Sequence, residues 1–106
     1  MPVPGPRAEP PKTPMDHSDS SLDQLIGREI VIDVVSPFVY LGKLIAYGAR
    51  FVTLEHADVH DLRDTTTTRE LYVIDSKRLG IRANRERVLV RVGEIVSVSA
   101  LEDVIV

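Results

Sequence analysis

Residues 85–101 read RERVLVRVGEIVSVSAL, and the fold turns on how this stretch is understood. Two runs rich in valine, RVLVRV at 87–92 and EIVSVSAL at 94–101, flank Gly93. β-Branched residues fit a pleated, half-buried surface, so each run is expected to be a short strand with Gly93 at the tight turn between them.

Further strands are legible in the first half of the chain. In REIVIDVV, 28–35, Ile30, Ile32 and Val34 share one face while Glu29, Val31 and Asp33 share the other, the period of a strand. Ser36-Pro37 makes a turn, and FVYLGKLIAY, 38–47, is a second strand whose Gly42 marks a strong bend. Gly48 closes another turn before a third strand, FVTLEHADV, 51–59. The period then changes. Thr67 and Glu70 are spaced as a capping box, Leu71, Ile74 and Leu79 fall near one helical face, and Gly80-Ile81 suits a helix C-terminus. A helix over Arg69–Leu79 follows, within an insert at about 66–80. At the other end, Ser20 or Ser21 caps a helical turn, LDQLI, that Gly27 ends. Five short strands with one helical turn in front predict a mainly β fold, a small closed or nearly closed barrel.

Six of the seven prolines lie in the first fourteen residues. Such a segment buries too little apolar surface to offset its ordering entropy, so residues 1–20 are expected to be a disordered tail and 21–106 one domain. The formal charge of −3 argues against a global basic field. Cysteine is absent, which excludes disulfides, thiolate metal sites and cysteine catalysis. No run has the length of a signal peptide's apolar core or a membrane span, so the expectation is a cytoplasmic protein without a membrane partner.

The order of elements, with LIGREIVIDVVSPFVYLGKLIAYGARFVTLEHAD at 25–58, resembles the first motif of the Sm and Sm-like family, which includes the bacterial host-factor RNA chaperone. Leu25 and Gly27 precede an alternating strand, Gly42-Lys43-Leu44 matches the family's glycine, any residue, aliphatic, and Leu54 and Ala57 sit where the third strand of that motif ends. RVLVRVGEIVSVSAL resembles the second motif and its closing hairpin. The resemblance covers about Leu22 to Leu101, interrupted by the helical insert, and implies a five-stranded Sm-like, SH3-like barrel. It also implies a nucleotide pocket made of an aspartate, an aromatic and an asparagine from the first motif and an arginine-glycine pair from the second. Here Gly48 stands at the aspartate position, Arg50 at the stacking position and Val52 at the asparagine position, while Arg91 is kept and Val92 replaces the glycine. Val52 and Gly48 have no side-chain hydrogen bonds to offer a base edge.

Two further constellations carry charge. SKRLGIRANRERVLVR, 76–91, holds Lys77, Arg78, Arg82, Arg85, Arg87 and Arg91 against Glu86, a candidate phosphate-binding patch that would read backbone rather than sequence. Helix-dipole pairing of Lys77 and Arg78, and ion pairs of the others across a subunit boundary, explain the same letters without RNA. In EHADVHDLRD, 55–64, His56, Asp58 and His60 would share a face of an extended strand; polar alternation accounts for them better than a metal, and no metal or cofactor is expected. Nothing supplies an activated nucleophile.

The reading that results is a non-enzymatic Sm-like module. It forms a homo-oligomer, such as a ring in which DVHDLRD of one copy meets RANRER of the next, and it takes RNA on a basic surface with Arg91 and Arg50 at the pocket. The alternative is a protein-binding or scaffold module that kept the barrel without RNA.

Overall fold

The computed structural model describes residues 20–106, and the tail expected over residues 1–20 lies, except for Ser20, outside the described residues. A short helix α1 (Ser20–Asp23) leads into strands β1 (Glu29–Val34), β2 (Phe38–Tyr47) and β3 (Phe51–Asp61). Helix α2 (Arg69–Leu79) follows, then β4 (Arg85–Arg91) and β5 (Ile95–Ala100). Single 3-10 turns occupy Leu62–Asp64, Val92–Glu94 and Leu101–Asp103.

All five strands form one antiparallel sheet in the order β4-β3-β2-β1-β5. The chain's last two strands are therefore the two ends of the sheet, yet only the turn Val92–Glu94 separates them. A sheet whose first and last strands are joined by so short a turn has to curl until its ends approach, which makes this a barrel. This corrects the expectation of a closing hairpin. Among the described residues β4 pairs only with β3 and β5 only with β1, where Val31 faces Ser99 and Asp33 faces Ser97.

The core lies inside the curl. Ile30, Ile32, Val34, Leu44, Val52, Leu54, Ala57 and Val90 are buried there together, and Leu25, Tyr40 and Val98 pack against them. Each buried aliphatic side chain of this kind contributes about 2 kcal/mol. A second apolar layer forms on the outer face, where α2 lays Tyr72 and Val73 on Val31, Val39, Leu41 and Leu101. Val31 is thus buried although it alternates away from the inner core.

Three local expectations change. The N-cap of α2 is Thr68, not Thr67: its hydroxyl accepts the Leu71 N–H at 3.2 Å, and the box with Glu70 does not form. The buried face of α2 carries Tyr72, Val73 and Ser76, while Leu71 and Leu79 are 52% and 76% exposed. Ser76 can be buried because its hydroxyl donates to the Tyr72 carbonyl at 3.0 Å, and its small size lets the helix sit close to the sheet. The first helical turn spans SSLD rather than LDQLI, so Ser20 and Ser21 lie within it. Gly80 ends α2 as expected, at φ 95° with its N–H on the Ser76 carbonyl, and Ile81 packs on the outer layer.

Candidate functional site

The β2–β3 turn and the turn after β4 come together at one end of the barrel. Phe51 lies opposite Arg91 in the β3–β4 ladder, and the Val92 N–H donates to the Arg50 carbonyl at 2.7 Å. Between them Ala49, Arg50, Phe51, Arg91 and Gly93 line an open cleft of about 350 Å³. Two guanidinium groups distant in sequence thus border one depression, with Phe51, 41% exposed, beside them. Neither arginine has an acidic partner among the described residues. Val52 is buried in the core, and Gly48 is exposed with its N–H on the Phe51 carbonyl.

The other basic residues do not converge on this cleft. Lys77 uses its ammonium on the carbonyls of Glu102 and Val104, at 2.8 and 2.5 Å, so it ties the C-terminal turn to α2. Arg78 is exposed in the last turn of the same helix, where a cation suits the dipole. Arg82 faces the Tyr72 hydroxyl. Arg85, Arg87, Leu89 and Arg91 alternate with the inward-facing Val88 and Val90, so they share the outer face of β4. Of these, Arg87 reaches Glu55 at 3.7 Å in an exposed pair of little energetic weight, and Arg85 donates to the neighbouring Asn84 carbonyl.

His56, Asp58 and His60 do not share a face. His56 has φ 52° and is the extra residue of a bulge opposite Gly42, where the β2–β3 register shifts between Leu41 and Lys43. The bulge leaves His56 exposed and turns Asp58 and His60 toward α2. There the Tyr72 hydroxyl donates to Asp58, and its ring stacks on His60 with centroids 3.8 Å apart. No group of three or more His, Asp or Glu side chains able to hold a metal occurs among the described residues.

Asn84 is a functional side chain of the fold that the sequence did not bring forward. Its amide accepts from the Val59 N–H and donates to the Val59 carbonyl, both at 3.0 Å, while its own N–H reaches the Ala57 carbonyl at 2.8 Å. The side chain imitates one more rung of the β3–β4 ladder. An asparagine before a strand is too common for its type alone to announce this.

Burial pushes the Tyr72 hydroxyl up to about 12, and its hydrogen bond to Asp58 adds to the shift. A phenol whose folded value lies above its ordinary 10.0 stabilises the fold fully below pH 10 and loses that contribution as the pH rises through 12. Tyr72→Phe is expected to remove this segment of alkaline destabilisation and to leave Asp58 short of a partner, at about 1–3 kcal/mol. Urea midpoints of both chains between roughly pH 8 and 12 check this; parallel pH curves would refute it.

No helix among the described residues is long and apolar enough to cross a membrane. No protein-family model and no curated protein matches the sequence. Solved structures do match. The chain is similar to the Sm protein of Pyrococcus abyssii, solved in complex with a uridine heptamer, at TM-score 0.53 and 14% identity over 84% of this chain and 99% of that one. It is similar to the SmAP (LSm) protein of Methanococcus vannielii at TM-score 0.53 and 17% identity, over 84% and 98%. A chain of the NatC complex bound to CoA overlays at TM-score 0.49 and 15% identity, over 74% and 82%. The first two likenesses, with the strand order and the helices in their places, show an Sm-like fold.

Proposed function

From an Sm-like fold with two unpaired edge strands, we propose a non-enzymatic module that self-associates through those edges and holds single-stranded RNA at the Arg50–Arg91 cleft. The observation that carries the RNA reading is the convergence of Arg50, Arg91 and Phe51 on one depression, free of acidic partners among the described residues. Two guanidinium groups bind phosphates, and an exposed ring gives one base a surface to stack on. With Val52 buried and Gly48 lacking a side chain, nothing at those positions reads a base edge, so binding is sequence-tolerant. Self-association rests on the free backbone edges of β4 and β5, which carry Leu89 and Val96 at 54% and 65% exposure.

Fluorescence anisotropy with labelled uridine and adenosine oligonucleotides tests the RNA reading. Arg50→Ala with Arg91→Ala is expected to weaken binding of both oligomers by about tenfold or more. The plot of log affinity against log salt should become shallower by about 1.4, at ~0.7 for each phosphate that is no longer neutralised. An unchanged affinity and slope would remove the cleft from the proposal. A wild-type chain that binds neither oligomer at low salt leaves the protein-binding module as the better reading, which the exposed Leu71 and Leu79 of α2 favour.

A further inference from the structure

A second cleft, of about 300 Å³, opens beside the first, and Phe51 and Arg91 line both. Val34 of β1 and Leu89 and Val90 of β4 give it apolar walls. Tyr40 adds its ring, which stacks on Phe38 with centroids 6.4 Å apart. Polar groups reach the same space from Ser36, Tyr40 and Glu94. The Tyr40 hydroxyl and the Glu94 carboxylate make no hydrogen bond or ion pair among the described residues. Ser36 accepts the Phe38 N–H at 3.4 Å and keeps its own hydroxyl proton to donate. The Glu94 carbonyl accepts the Val35 N–H at 3.0 Å, which fastens the turn after β4 to the end of β1 and sets Glu94 at the cleft.

A small, mostly apolar cleft with a few convergent polar groups has the form of a small-molecule subsite. Because it shares Phe51 and Arg91 with the first cleft, the ligand that reaches it is the next nucleotide of a strand bound there. A free carboxylate repels phosphate, so Glu94 serves the base rather than the backbone. Ionised, it only accepts hydrogen bonds. Guanine presents two donors side by side, N1–H and the N2 amino group, which match the two carboxylate oxygens. Adenine and cytosine set one amino group beside a ring nitrogen that accepts, and uracil flanks its N–H with two carbonyls. We propose that this cleft holds the nucleotide next to the one at Arg50–Arg91 and selects guanine through the Glu94 carboxylate. The Tyr40 ring gives the base a stacking surface, and the Ser36 and Tyr40 hydroxyls are donors for its O6 carbonyl. This rests on the RNA reading above and adds discrimination to it: the first position takes any base, and the second chooses.

Fluorescence anisotropy tests this with a labelled uridine octamer and the same octamer carrying a single central guanosine, adenosine or inosine. The guanosine oligomer is expected to bind the wild-type chain about tenfold more tightly than the all-uridine one, the worth of one bidentate pair. Adenosine should lose most of that gain, and so should inosine, which lacks the N2 amino group. Glu94→Gln is expected to abolish the guanosine preference. It should bind the all-uridine oligomer no more weakly than the wild type, since a negative charge has gone from beside the phosphates. Glu94 is exposed in its turn, so the variant should fold, and an unchanged thermal transition checks that it does. Equal gains from guanosine and adenosine would assign the preference to stacking, and a Glu94→Gln chain that still prefers guanosine would take the carboxylate out of it. Either result overturns the second position and leaves the Arg50–Arg91 cleft standing, as does a wild-type chain that binds all four octamers alike. No binding of any octamer at low salt ends the RNA reading itself, and the second position with it.

Discussion

Leu54→Ala is expected to cost about 4 kcal/mol and to lower the melting temperature by roughly 20 °C. Leu54 is fully buried inside the curl, opposite Leu44 on one side and Val88 on the other, where three neighbouring strands share one packing layer. Truncation loses the transfer free energy of the removed carbons and leaves a void that a barrel strung across hydrogen-bonded strands cannot collapse to fill. Val96→Ala provides the contrast, because Val96 is 65% exposed on the edge strand, and its cost should stay within about 0.5 kcal/mol for the monomer. Urea denaturation of both chains, at a concentration where association is negligible, gives the comparison. Equal losses would mean that the inner cluster is not what holds the barrel together.

Gly42→Val should cost about 3 kcal/mol for a different reason. A Cβ at residue 42 would meet the Ala57 Cβ at 3.0 Å, its Cα at 3.1 Å and the Glu55 carbonyl oxygen at 3.3 Å. The two strands come this close because the bulge at His56 brings Ala57 in beside Gly42, and two of the three atoms are backbone that cannot swing aside. Valine adds two methyl groups to that collision, so the bulge or the register has to give. Gly48→Ala is the control: a Cβ there meets nothing within 4 Å. Loss of stability in the first and none in the second, measured by thermal unfolding, is the expected pattern. A stable valine variant would show that β2 and β3 can separate at this point without consequence.

The two changes also mark how far the sequence alone reaches. The inner face of β1 is legible because Ile30, Ile32 and Val34 alternate without interruption, and the helix end is legible because glycine at a positive φ leaves few alternatives. The bulge is not. It brings Ala57 against Gly42, on two strands that the sequence separates, and in EHADVH only the adjacent polar pair Glu55-His56 hints at it. Four consecutive threonines are equally able to cap a helix, so Thr68 can be told from Thr67 only by where the turn Leu62–Asp64 delivers the chain. The pairing of β5 with β1 is hidden because a tight turn suggests a hairpin, whereas the partner is fixed by the curl of the whole sheet. At the candidate site, Arg50 and Arg91 stand out through a family pattern rather than through chemistry visible in the string. Lys77 reads as a free cation in that string, because its acceptors belong to the far end of the chain.

Asn84 bears on how this chain can change over generations. By bonding both polar groups of Val59 it pins the two ends of the segment carrying α2 side by side, as a staple would. A loop closed in this way pays only a slowly growing entropy when residues are added to it. The insert can therefore change length at its exposed turns while the strands keep their alignment, so long as Tyr72 and Val73 still cover Val31, Val39 and Leu41.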